Sequence, residues 1–377
     1  MNKIHIEKIL DRWLHKLISI KGADLHIKTN SPLHARQRSD IVKISKDSPT
    51  QEIMEELVAF LTGESYDVFL KKQEFDGAYV LDRNYRFRFN IYLHVNGVAI
   101  VFRLIPSRIY TFEELHLPKA LKKLVELKRG LVLITGTTGS GKSTTLSTVI
   151  ENINVKYARH IITIEDPVEY VFQDKRSIIE QRELGIHTHD FSTALRAAMR
   201  EDPDIIVVGE VRDVATAEAI IYAVNTGHLV FSTMHTIDAK ETIEKIIGFF
   251  PTEEQNRIRL ILASTLEAII SQRLIEGVDK QMIPAVEMMF KSPLTQELIR
   301  SNRDREILDA IEKDNVSYQS MSFNRSLFEL TLQNKITETQ AYQYASSPAD
   351  LKLMFTLSTE YTTKKRTEDE GLSLKEL

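Results

Sequence analysis

Cysteine is absent from all 377 residues. Without it the chain forms no disulfide and no thiolate metal site, which excludes stapled secreted scaffolds and cysteine-ligated zinc modules. Long apolar runs are missing too. None approaches the roughly 18 residues a bilayer-crossing helix needs, and the opening "MNKIHIEKIL" does not have the form of a secretion signal. Neither sign of charge dominates: 49 Lys and Arg against 53 Asp and Glu leave a net charge of -4. That balance argues against broad, sequence-independent nucleic-acid binding, which needs a basic surface, although a local basic patch stays open. Internal repeats and low-complexity tracts are also lacking. What is left, 42% hydrophobic and 27% charged, is the composition of a soluble, cytosolic globular protein long enough for two or three domains.

The chain changes character along its length. In the opening stretch Ile6, Ile9, Leu10, Trp13, Leu14 and Leu17 fall on one helical stripe. "ADLHIK", "YRFRFNIYLHV" and "GVAIVFRLI" then read as strands; in the second, Phe87, Phe89, Ile91 and Leu93 alternate with Arg86, Arg88, Asn90 and Tyr92. This is the period of a sheet with one buried face, and Asn96-Gly97 predicts a hairpin between the last two strands. Residues 1–105 are therefore expected to form a mixed α/β domain and 106–118 a linker. Beyond it, "GLVLIT", "HIITI", "DIIVVG" and "HLVFST" are short strands apolar throughout, separated by helical stretches. Strands buried on both faces imply a parallel sheet covered by helices, expected over 119–292. Residues 293–357 read as helices, one opening on a possible capping box from Thr337 to Gln340, and 358–377 as a charged, flexible tail.

The stretch "GTTGSGKSTT", Gly136 to Thr145, matches G-x-x-x-x-G-K-[ST] in full and lies between a buried strand and a helix. Each residue type has a reason. Gly139 and Gly141 let the backbone curl so that successive N–H groups, from Thr137 and Thr138 through Ser140 to Thr144, point at phosphate oxygens. The helix opening near Lys142 adds its positive end, Lys142 reaches the β- and γ-phosphates, and the Ser143 hydroxyl is a ligand for Mg²⁺. Binding alone does not hydrolyse; that takes carboxylates to hold metal and orient water. Two follow buried strands: Glu165 in "IITIEDPVEY", and Glu210 in "DIIVVGE", where Gly209-Glu210 stands in place of the usual Asp. His235, past a fourth strand, is a candidate sensor of the γ-phosphate. His187 and His189 form a His-x-His pair with no further ligand nearby and read as surface residues.

These four boxes, "GTTGSGKSTT", "TIEDPVEY", "REDPDIIVVGEVRD" and "TGHLVFSTMHT", resemble in order the Walker A, Asp box, Walker B and His box of the type II/IV secretion ATPase superfamily. The likeness extends from "ADLHI" to "SPADLKLMF" and is greatest to the type IV pilus retraction ATPases. Extension and secretion ATPases of the superfamily are usually longer and often carry a four-cysteine zinc element, which this chain lacks. The resemblance implies a PAS-like N-terminal domain joined to a RecA-like P-loop ATPase core with a helical C-terminal segment, assembled as a homohexamer. It implies ATP with Mg²⁺ and gives water activation to Glu165 and Mg²⁺ or its water shell to Glu210, a division that can be reversed. It implies that arginines of the N-terminal domain, best matched by Arg88 and Arg103, close over the nucleotide. Its partners would be an inner-membrane pilus platform protein and a paralogous retraction ATPase, with no nucleic acid. Its place would be the cytoplasm, peripheral at the inner membrane. Arg36 and Arg38, in "SPLHARQRSD", are unusual there and are read as a contact surface.

Overall fold

A computed structural model describes residues 3–37, 40–82, 85–105 and 108–358. Arg38 and all but the first residue of the tail 358–377 lie outside the described residues. Two compact units are built around separate sheets, the first over Met1–Arg108 and Glu169–Val171 and the second over Ile109–Val168 and Phe172–Leu377.

The first unit begins with helix α1 (Lys3–Ser19) and strands β1 (Asp24–Lys28), β2 (Ser31–Gln37) and β3 (Asp40–Lys43). Helices α2 (Gln51–Thr62) and α3 (Tyr66–Lys72) precede strands β4 (Glu74–Leu81), β5 (Tyr85–His94) and β6 (Gly97–Ile105). The sheet has the order β3-β2-β1-β6-β5-β4. The helical stripe turns inward as its spacing requires: Ile6, Leu10, Leu14 and Leu17 are buried against Leu25, Phe87, Phe89 and Phe102, and Trp13 packs at their margin. Asn96-Gly97 closes the β5–β6 hairpin with His94 opposite Gly97. Because Phe87, Phe89 and Ile91 take the core face, Arg86 and Arg88 fall on the other.

The second unit runs through β7 (Gly130–Thr135), α4 (Lys142–Lys156), β8 (His160–Glu165), β9 (Ile178–Glu183), α5 (Phe191–Ala198) and β10 (Ile205–Val208). It continues with α6 (Val214–Asn225), β11 (Leu229–Met234), α7 (Ala239–Gly248), α8 (Thr252–Thr265), β12 (Leu266–Glu276) and β13 (Met282–Phe290). Helices α9 (Pro293–Arg300), α10 (Ile307–Lys313), α11 (Asn315–Tyr318), α12 (Phe323–Leu332), α13 (Glu338–Tyr344) and α14 (Pro348–Leu357) complete it. Strand order is β13-β12-β7-β11-β10-β8-β9, parallel except for the β12–β13 pair. Every residue of β7, β10 and β11 is buried, as continuous apolar runs demand in a sheet covered on both faces. Thr337 and Gln340 do form a capping box at the start of α13. Of the segment read as a linker, Phe112 and Leu117 are buried in this unit's core beside Leu121, Val149 and Ile150. Among the described residues no helix is long and apolar enough to cross a membrane.

Candidate active site

A parallel sheet puts the C-terminal ends of its strands along one edge, and loops leaving that edge converge. Thr135 pairs with Met234 and Val208 with Ile164, so the loops after β7, β8, β10 and β11 emerge side by side. They carry Gly136–Thr144, Glu165, Gly209-Glu210 and His235 respectively. Gly209 is where β10 comes nearest the end of β8. A Cβ there would lie 3.3 Å from both the Glu165 Cα and the Ile164 carbonyl oxygen. The acid at this strand end is Glu210, one position further on.

The loop before α4 meets the requirements of a triphosphate. Gly139 and Gly141 have φ of +78° and +87°, a left-handed backbone open to glycine at little cost. A Cβ on Gly136 would lie 2.4 Å from the Gln272 carbonyl oxygen and 2.5 Å from Ser140 Oγ, so the curl is as tight as its backbone allows. Gly141 stands at the N-cap of α4 with no side chain to satisfy the first turn, whose N–H groups are then donors for an anion. Ser140 Oγ is buried without a hydrogen-bond partner. Lys142 is 8% exposed, and its Nζ donates to the carbonyls of Gly136 at 2.8 Å and Thr137 at 3.0 Å. A buried cation, first-turn amides and an orphaned hydroxyl within one short loop fit a phosphate chain. Thr137, Thr138 and Gly139 are exposed on its rim, and Ser143 and Thr144 are half-buried in the first turn of α4.

The carboxylates are oriented by neighbours that motif reading missed. Thr163 Oγ1 donates to Glu165 Oε1 at 2.6 Å, and Gln181 Nε2, from β9, donates to the same oxygen at 3.0 Å. Glu210, with its side chain 14% exposed, is held by His235 Nε2 at 3.2 Å and by an ion pair with Arg212. Arg212 also reaches Asp166 Oδ2 at 3.0 Å, and its hydrogen bond to Glu210 is the chief reason its guanidinium is held above the ordinary arginine range. His235 thus contacts Glu210 directly. Glu210 and Ser143 are the candidates for the one or two protein ligands that Mg²⁺ needs when phosphates supply others. Among the described residues no cluster of three or more His, Asp or Glu could hold a metal alone. His187 accepts from the Glu183 N–H at 3.0 Å through Nδ1 and closes the turn after β9.

Gln272, on β12 and 3% exposed, is a further residue unseen in the sequence. Its Oε1 accepts from Thr145 Oγ1 at 2.9 Å, and its Nε2 lies 2.9 Å from where a Cβ on Gly141 would stand. It braces the phosphate loop from beneath. Gln272→Ala is expected to cost about 1–3 kcal/mol by orphaning the buried Thr145 hydroxyl. It should also weaken binding of a fluorescent ATP analogue; denaturant titration and fluorescence binding measure the two.

Arg88 and Arg103 belong to the first unit, directly opposite each other in the β5–β6 register. Arg103 Nε donates to Asp24 Oδ1 at 2.7 Å, and this bond is the first cause of its raised pKa. Arg36 approaches the other oxygen of Asp24 at 3.7 Å. Arg88 has Asp76 at 4.0 Å.

A phosphate-binding loop with acidic groups on adjacent strand ends defines a P-loop ATPase. Residues 2–341 match the family described as "Type II/IV secretion system protein". The chain is 38% identical over 299 residues to the type IV pilus retraction ATPase PilT of Pseudomonas aeruginosa, covering 77% of this chain and 85% of that one. It is 34% identical over 352 residues to the type IV pilus ATPase PilU of the same organism, covering 93% and 92%. A crystal structure of the pilus retraction motor PilT with bound ADP superposes with a TM-score of 0.83 at 36% identity, over 90% of this chain and 97% of that one. The chain belongs to the type II/IV secretion ATPase family and, within it, stands with the type IV pilus retraction ATPases.

Proposed function

We propose that this chain couples hydrolysis of Mg-ATP to retraction of a type IV pilus. It works as a homohexameric ring in the cytoplasm against an inner-membrane platform protein, alongside a paralogous retraction ATPase. One observation carries the reading: the phosphate loop, Glu165 and Glu210 lie on one edge of one parallel sheet, with His235 bonded to Glu210. The amides of Gly139–Ser143 and the Lys142 ammonium take the phosphate charge of the substrate ATP. Ser143 and Glu210 would hold Mg²⁺, which would supply charge neutralisation for the phosphates of the bound nucleotide. Glu165, fixed through Oε1 by Thr163 and Gln181, aligns a water and takes its proton. His235 reports the γ-phosphate state through its bond to Glu210. Arg88 and Arg103 are assigned the charge that develops during transfer.

Deleting the gene tests the reading against extension and secretion. Cells that keep abundant surface pili yet no longer move by twitching support retraction. Cells left without pili would mean an extension motor, and cells that retract unchanged with the paralogue also deleted would sink the proposal.

A further inference from the structure

The second unit buries one carboxylate that this chemistry does not use. Glu287, on β13, is 4% exposed. Its Oε1 accepts from the N–H of Ala239 at 2.8 Å. Ala239 is the first residue of α7, and the helix follows directly on the loop that carries His235. Asp238 caps the same helix by accepting from the Glu241 N–H at 2.7 Å. On its other side Glu287 stands opposite Ser271 in the β12–β13 register. Ser271 stands beside Thr135, the last residue of β7, whose Oγ1 donates to Ser271 Oγ at 2.9 Å. A polar row, Thr135–Ser271–Glu287, therefore crosses three neighbouring strands and ends on the first amide of α7.

We infer that Glu287 is a positioning residue for the ATPase, anchoring the His235 loop to the strands beneath the phosphate cradle. The inference rests on the catalytic reading of that loop. A buried carboxylate is an expensive way to hold a helix end, since desolvation offsets much of what its hydrogen bond contributes. The charged groups acting on it are Asp238 before α7 and Glu312 of α10, which oppose its ionisation, and Arg273 of β12, which favours it. Burial outweighs the Ala239 bond and raises the Glu287 pKa from the ordinary 4.5 to about 7. The sign follows from linkage. The folded value exceeds the unfolded one, so the stability Glu287 supplies is complete below about 4.5 and lost as pH rises towards 7. Opening the loop lets water reach the carboxylate, so ionisation loosens the anchor and protonation keeps it shut.

Two substitutions in the full chain separate positioning from bulk structure. E287Q keeps the acceptor for Ala239 and cannot ionise. Its Ala239 amide should keep a constant protection factor between pH 4.5 and 8, and its turnover should not share the wild-type loss, while in the wild type protection declines between about 4.5 and 7 and is level above that. E287A removes the acceptor and should lose protection and about fivefold in kcat at every pH. If E287Q retains the wild-type pH dependence of Ala239 exchange, the anchor is overturned. Should a variant not fold, the wild-type protection factor decides: a decline between about pH 4.5 and 7 supports the anchor and a constant value across that window refutes it. His235→Ala tests the underlying reading separately, because unchanged turnover there removes the loop from catalysis whatever Glu287 does.

Discussion

Glu165→Gln is expected to bind Mg-ATP with near-native affinity and to release phosphate about 10³-fold more slowly. The amide has the size of the carboxylate and keeps an oxygen that accepts from Thr163 and Gln181, so the end of β8 and the bonds at 2.6 and 3.0 Å survive. What it lacks is the capacity to take a proton from water. A loss of 10³ corresponds to about 4 kcal/mol of barrier, far more than the loss of one surface interaction could produce. Calorimetric titration with Mg-ATP and a single-turnover phosphate-release assay measure the two halves. Retention of more than about a tenth of native turnover would move the base elsewhere, and Glu210→Gln is the partner experiment. With Glu210 as metal ligand, that variant loses Mg²⁺-dependent affinity as well as rate. Identical behaviour of the two would remove the division of roles.

Much of this site is legible in the sequence because each box follows or contains a short, mostly apolar run. "GLVLIT", "HIITI", "DIIVV" and "HLVFST" all become buried strands whose ends fall on one edge. The residues that orient the site are not legible in the same way. Gln181 lies on β9, an edge strand whose charged, half-exposed residues carry no apolar run. Gln272 sits in β12, which starts directly where α8 ends, so no turn signal separates helix from strand. Arg212 lies within the recognised Walker B stretch, and only the fold shows it spanning Glu210 and Asp166. Phe112 and Leu117 were the signal that "PSRIYTFEELHLP" is not simply a spacer: two large apolar residues in a short polar stretch have a core to enter. Long-range partners of this kind depend on strand order, which no local pattern encodes.

Arg88→Ala and Arg103→Ala are expected to lower turnover alike, by about 10³-fold, while moving stability in opposite directions. Arg88 and Arg103 face each other across β5 and β6, and like charges directly opposite in an antiparallel pair repel. Arg88 has a partial offset, Asp76 at 4.0 Å, and both groups are well exposed. Removing Arg88 should therefore leave stability unchanged or raise it by a few tenths of a kcal/mol. Arg103 differs because its partner is buried. The Asp24 side chain is 6% exposed and relies on Arg103 at 2.7 Å, with Arg36 only at 3.7 Å. Arg103→Ala leaves that carboxylate underpaired, at a cost of about 1 kcal/mol, the low end because the arginine itself is largely in water. Thermal melts and phosphate release on both variants test the contrast, and Asp24→Asn supplies the control. Added to Arg103→Ala, it should restore the melting temperature and leave turnover low. Recovery of turnover in that double variant would mean that Arg103 acts only by neutralising Asp24, and its assignment to phosphate chemistry would fall.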